Sequence, residues 1–237
     1  IIIGIASIIA IVSTIKGTSE QIKENLIGSG NNTVNINNDG VGLTVNADKI
    51  TNSVIYVNDN SLTLTGGTLN SNVNGGKTNI NGDVVLASSS NIASSVVNVA
   101  ENKSLTIAAG RSWNNAISGK GTTIFGADFD GNNNAVIETL LINNGVLTSN
   151  TANIKGNVSN NNKLTLNGNN DVFNNTITGS GDLTLNGFIT ANKTISQKSI
   201  TNNGTLNSSI DNLNGELINT NTGIFNVAGA NVVLNKN

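Results

Sequence analysis

The fold predicted from the sequence is all-β: a parallel β-solenoid (β-helix) of about ten coils, preceded by a short N-terminal helical cap. Two observations carry the prediction. From Asn31 onward the chain alternates apolar and polar residues in short runs, separated by Asn-Gly, Gly-Gly, Asn-Asn and Ser-Gly clusters. The same elements then recur at long, regular offsets. Residues 1–30 form a separate apolar and amphipathic segment, and 31–237 form the repeat domain.

Composition narrows the possible chemistry. Among 237 residues there is no Cys, His, Met or Pro, aromatics make up 3%, the formal charge is −2, and 49 residues are Asn. Thiol and imidazole catalysis, Cys or His metal sites and disulfides are excluded. Twelve Lys and Arg against fourteen Asp and Glu give no electrostatic footprint for nucleic acid. Charged residues make up only 11%, and the apolar residues are mostly Ile, Val and Leu in alternation, which is a folding pattern and not a disordered one. The lack of an initiator Met is expected of an excerpt or a processed product.

At the N-terminus, Ile1–Val12 is nearly all Ile, Ala and Val. It is too short to span a bilayer, which takes about twenty residues. It matches a signal-peptide apolar region without its basic leader, an apolar segment that plugs the end of the domain, or an assembly helix of the pilin kind. Thr18 and Gln21 then stand at capping-box spacing, Ile22, Leu26 and Ile27 share a face, and Gly28 is a stop signal. This predicts a short helix over 18–27.

Beyond it the period is two. Thr33-Val34-Asn35-Ile36, Leu43-Thr44-Val45, Leu62-Thr63-Leu64, Leu105-Thr106-Ile107, Leu164-Thr165-Leu166 and Leu183-Thr184-Leu185 each read as a strand of three to five residues. Gly and Asn between them tolerate the positive φ of tight corners, and Pro, which would interrupt a ladder, is missing. Trp113-Asn114-Asn115-Ala116-Ile117-Ser118-Gly119-Lys120-Gly121 recurs sixty residues on as Phe173-Asn174-Asn175-Thr176-Ile177-Thr178-Gly179-Ser180-Gly181. Gly-x-Leu-(Asn/Thr)-Ser occurs at Gly67, Gly145 and Gly204. These intervals approximate multiples of about twenty, the length of a three-sided coil. Stacking such coils at about 4.8 Å would make Ile/Val/Leu ladders inside and Asn amide ladders at corners. An antiparallel sandwich is the rival architecture.

The element aromatic-Asn-Asn-x-Ile-(Ser/Thr)-Gly-x-Gly, followed by Thr122-Thr123-Ile124 or Asp182-Leu183-Thr184-Leu185, resembles the passenger-associated repeats of type V autotransporters. In its Asn-rich, Cys-free texture the chain is most similar to the rickettsial surface cell antigens. The resemblance implies a right-handed parallel β-helix displayed at a bacterial cell surface, outside the outer membrane. It also implies a C-terminal outer-membrane translocator in the parent protein, for whose aromatic-girdled strands this chain has too few aromatics.

Candidate chemistry is sparse. Asp128, Asp130 and Glu138 form a carboxylate cluster around Phe129 and Gly131-Asn132-Asn133-Asn134, to be weighed as a glycosidic acid/base pair or as a polar loop between coils. Asp128-Phe129-Asp130-Gly131-Asn132 also invites a calcium reading, but its Gly comes fourth where an EF-hand loop needs it sixth. Gly119-Lys120-Gly121-Thr122-Thr123 lacks phosphate-loop spacing, and its copy at Gly179-Ser180-Gly181 lacks the Lys. Trp113 and Phe173, at matching motif positions, read as corner aromatics more readily than as sugar-stacking platforms. Asn-x-Ser/Thr triplets follow from the composition alone.

The expected function is therefore non-enzymatic: a structural spacer or adhesin without cofactor or metal. Its partner would be a host-cell or neighbouring-cell receptor or glycan, met along a solenoid face, with self-association a further possibility. Two alternatives stand beside this: a β-helical polysaccharide-degrading enzyme using the carboxylates, and a filament subunit using Ile1–Val12.

Overall fold

A computed structural model of the chain describes residues 33–36, 42–51 and 53–228. The predicted helix over 18–27 and the apolar run Ile1–Val12 lie outside them. Within them the chain is a β-solenoid of about ten turns with parallel sheets. Every strand pairing is parallel. That excludes the antiparallel sandwich. Three single turns of 3₁₀ helix, Ala47–Lys49, Thr151–Asn153 and Ile210–Asn212, interrupt the strands.

Each turn visits three faces in order. The first face stacks Val34, Ile55, Val73 and Ile92 early in the chain and Leu147, Leu164, Leu183, Ile200 and Leu217 late. The second stacks Leu43, Leu62, Thr78, Val97, Ile117, Ile137 and Ile154. On the third, Val84, Leu105, Thr123, Leu141, Val158, Ile177, Ile195 and Leu213 form an eight-rung column. Nearly all of these side chains are buried, so the expected Ile/Val/Leu ladders form one continuous core. Each fully buried aliphatic side chain contributes about 1.5–3 kcal/mol, and its packing is shared with the coils above and below. Two pairs of hydroxyls that enter this core meet across it: Thr78 with Ser94 at 2.6 Å and Thr123 with Thr139 at 2.7 Å.

Strand length departs from expectation. Short runs join around corners, so that Thr122–Asn133 forms part of two faces, pairing with Leu140–Asn143 through residues 122–125 and with Val146–Ser149 through residues 130–133. A register shift between Phe125 and Asp128 makes the bend.

Coil length corrects the reading of the repeats. Down the third face, Thr123, Leu141, Val158, Ile177, Ile195 and Leu213 are separated by 18, 17, 19, 18 and 18 residues. At this length sixty residues make three turns and one face more. Ile117 belongs to the second-face column, whereas Ile177 stacks below Ile195 in the column of Thr123, on the third. Likewise Leu69 stands on the third face, Leu147 on the first and Leu206 on the second. The motif therefore encodes one strand and one corner, not one coil, and each copy sits a third of a turn further round.

Candidate functional site: corners and outward ranks

Local geometry is shared by the motif copies even though their faces differ. Trp113 and Phe173 are both buried, at 2% exposure. The Trp113 indole Nε1 donates to the Asn115 carbonyl at 2.6 Å, closing its own corner. Asn114 Oδ1 accepts from Asn134 Nδ2 at 2.8 Å, and Asn174 Oδ1 from Asn192 Nδ2 at 2.9 Å, each one coil on. Asn175 Nδ2 reaches the Ile154 carbonyl at 3.5 Å. Ile117 and Ile177 point into the core. Gly119 and Gly179 turn the corner at φ +107° and +117°, where a side chain is strained. At Gly121 and Gly181 a Cβ would collide with the carbonyls of Ala100 and Asn162. Every motif position thus has a structural task. Trp113→Phe should lose the indole hydrogen bond and keep most of the packing, costing about 1 kcal/mol in denaturant unfolding, against about 3–5 kcal/mol for Trp113→Ala.

The carboxylates are placed differently from a loop cluster. Asp128 and Asp130 lie within the long strand Thr122–Asn133 and point outward on either side of buried Phe129, whose ring meets Phe125 at 4.5 Å. The two acids line an open groove of about 610 Å³ with Gly110, Gly131 and Asn132. Glu138 is not among its lining residues: it is exposed beyond the next corner, beside the second-face residue Ile137. Among the described residues no three Asp or Glu gather as a metal-holding group.

Two features escaped the sequence reading. First, several Asn point inward. Asn133, Asn143, Asn160 and Asn202 are 0–4% exposed. Asn143 Oδ1 accepts from Gly145 N, and Asn202 Oδ1 from Gly204 N, both at 3.2 Å. Across coils, Asn143 Nδ2 donates to Asn160 Oδ1 at 2.8 Å, and Asn160 Nδ2 to Gln197 Oε1 at 2.6 Å. Asn160 reaches past a whole coil because Gly179, between it and Gln197, has no side chain. The sequence signal was available as apolar-x-Asn in Leu141-Ile142-Asn143, Val158-Ser159-Asn160 and Ile200-Thr201-Asn202, with Asn at the second inward position.

Second, the outward side of the first face carries three aligned ranks in its C-terminal half. The middle rank is Thr148, Thr165, Thr184 and Thr201, one per coil. On one side Asn167, Asn186 and Asn203 form an amide ladder at 2.9 Å per link. On the other stand Val146, Lys163, Asp182, Ser199 and Glu216, with Ser199 Oγ donating to Asp182 Oδ1 at 2.7 Å. Among the described residues the four Thr hydroxyls have no hydrogen-bond partner.

Fold and surface together define a three-faced β-solenoid with polar outward ranks. No protein-family model matches the chain, and no solved structure matches it. Among curated proteins, 36 residues are 64% identical to a segment of the uncharacterized ABC transporter permease YvrN of Bacillus subtilis (strain 168). The match covers 15% of this chain and 9% of that protein. Among the described residues no helix is long and apolar enough to cross a membrane.

Proposed function

We propose that the chain is a non-enzymatic segment of an exported bacterial surface protein: a β-helical passenger of the type V autotransporter kind, acting as a spacer or adhesin. In this reading the helix is right-handed, as parallel-strand crossovers overwhelmingly are. A C-terminal outer-membrane translocator in the parent protein holds it at the cell surface. The observation that carries the reading is the regular outward patterning of a rod roughly 50 Å long, with Thr and Asn in register from coil to coil along one face. Such a surface offers many weak contacts in place of one deep site. For the experiment, the chain is fused to an outer-membrane translocator and displayed on bacteria. Displaying cells should adhere to host-cell or glycan-coated surfaces more than cells bearing the translocator alone, and equal adherence on every surface would remove the adhesin role.

One observation favours a second reading, a polysaccharide-degrading enzyme: Asp128 and Asp130 share an open groove. Clearing of a glycan plate that is lost in Asp128→Asn or Asp130→Asn would establish it.

A further inference from the structure

We propose that the rank Thr148–Thr165–Thr184–Thr201 is a docking strip for an uncharged, extended β-linked polysaccharide, with one pyranose ring per rung. The proposal rests on the adhesin reading and names its ligand class. Four observations support it.

The first is hydrogen-bonding capacity. The Asn167–Asn186–Asn203 ladder is bonded to itself, and Ser199 is bonded to Asp182. The Thr rank between them has every hydroxyl without a partner among the described residues, so each can both donate and accept toward a ligand.

The second is spacing. Parallel pairing places successive Thr residues one strand spacing apart, about 4.8 Å, so four of them span roughly 14 Å. An extended β-linked pyranose chain advances by close to the same distance per ring and presents hydroxyls at every ring. A periodic donor-acceptor row therefore stays in step with a periodic ligand over all four rungs.

The third is rigidity. Thr is β-branched and stiff at χ1, and each of these residues is half-buried in the middle of a paired strand. Little side-chain entropy is lost on binding. The Thr methyl groups also give the strip apolar patches for the ring faces.

The fourth is charge. Lys163 and Lys198 stand against Asp130, Asp182 and Glu216 beside the rank, with Lys198 Nζ 3.9 Å from Asp182 Oδ1. A border without excess positive charge gives no attraction to a polyanion, and it suits an uncharged polymer. Each hydroxyl contact is weak against water, so retention accumulates along the rank and along many displayed rods.

The test measures retention of the purified full chain on insoluble cellulose and chitin, with an alginate gel as the charged comparison. Retention is expected on at least one uncharged matrix and not on alginate. The double variant Thr165→Val, Thr184→Val, which keeps the branched shape and removes two hydroxyls, should weaken retention about tenfold. Its thermal unfolding should be unchanged, and Thr106→Val, on the third face, should bind like the parent. The proposal is overturned by no retention on either matrix, by equal retention of the double variant, or by preference for alginate. Adherence of displaying bacteria, scored alongside, separates the two levels. If cells adhere while neither polysaccharide retains the chain, the ligand class alone is wrong. If cells do not adhere either, the adhesin reading goes with it.

Discussion

Asn160→Ala should lower the unfolding free energy by about 3 kcal/mol, because it orphans several buried polar groups at once. Asn160 is fully buried. It accepts from Asn143 Nδ2 at 2.8 Å and donates to the Asp182 carbonyl at 3.1 Å and to Gln197 Oε1 at 2.6 Å. Truncation leaves these partners in a site that an alanine methyl cannot satisfy, and it leaves a cavity as well. Asn161→Ala is the matched control. Asn161 makes the same type of amide contact, to Asn144 at 2.9 Å, but in solvent, and its loss should fall within about 0.5 kcal/mol. Denaturant unfolding followed by far-UV circular dichroism reads both. Equal effects of the two variants would show that the inward ladder adds no more than the outward one. Hydrogen exchange should place the Asn160→Ala loss in the coils on either side, since a stacked array is coupled mainly to its nearest neighbours.

Gly179→Ala should be as damaging, through a different cause. The backbone sits at φ +117°, and a Cβ there would run into the Asn160 carbonyl of the coil below. Strain of this kind costs about 1–3 kcal/mol. Any shift of the Asn160 backbone to make room would also disturb the Asn160 Nδ2 contact with Gln197 Oε1, at 2.6 Å. The combined loss should exceed that of Thr178→Ala, the exposed neighbour, by at least about 2 kcal/mol in the same unfolding measurement. A Gly179→Ala protein as stable as its parent would mean that this corner does not need positive φ.

How much was legible in advance can be judged from particular residues. The strand at Leu183-Thr184-Leu185 was plain, since alternation places Leu inward and Thr outward whatever the strand pairs with. The corners at Gly119 and Gly179 were also marked, because few residues but glycine serve there. Asp128 and Asp130 were legible as an acidic pair but not as a pair flanking an inward Phe129. The strand bends through this segment, and Gly126 within the bend was not read as its mark. Glu138 was grouped with them by nearness in sequence, and a single corner was enough to carry it to another face.

The coil length was the main misreading, and its physical cause is simple. A solenoid has three quasi-equivalent corners, so a corner motif serves at any of them. Sequence offsets then count corners and not turns. Ile117 and Ile177 carry the same local instructions on different faces, and only the pairing of Ile177 with Val158 and Ile195 shows which face it occupies.

By itself, then, the sequence determined the strand period, the corner positions, the apolar interior and the absence of imidazole and thiol chemistry. All of these depend on a residue and its near neighbours. The tertiary structure decided which residues stand above one another. That stacking places Asn160 beneath Gln197 and sets Thr148, Thr165, Thr184 and Thr201 in one rank. Register between coils depends on coil length summed over three corners, and a difference of one residue per turn is enough to move a side chain to another rank or from one face of the sheet to the other.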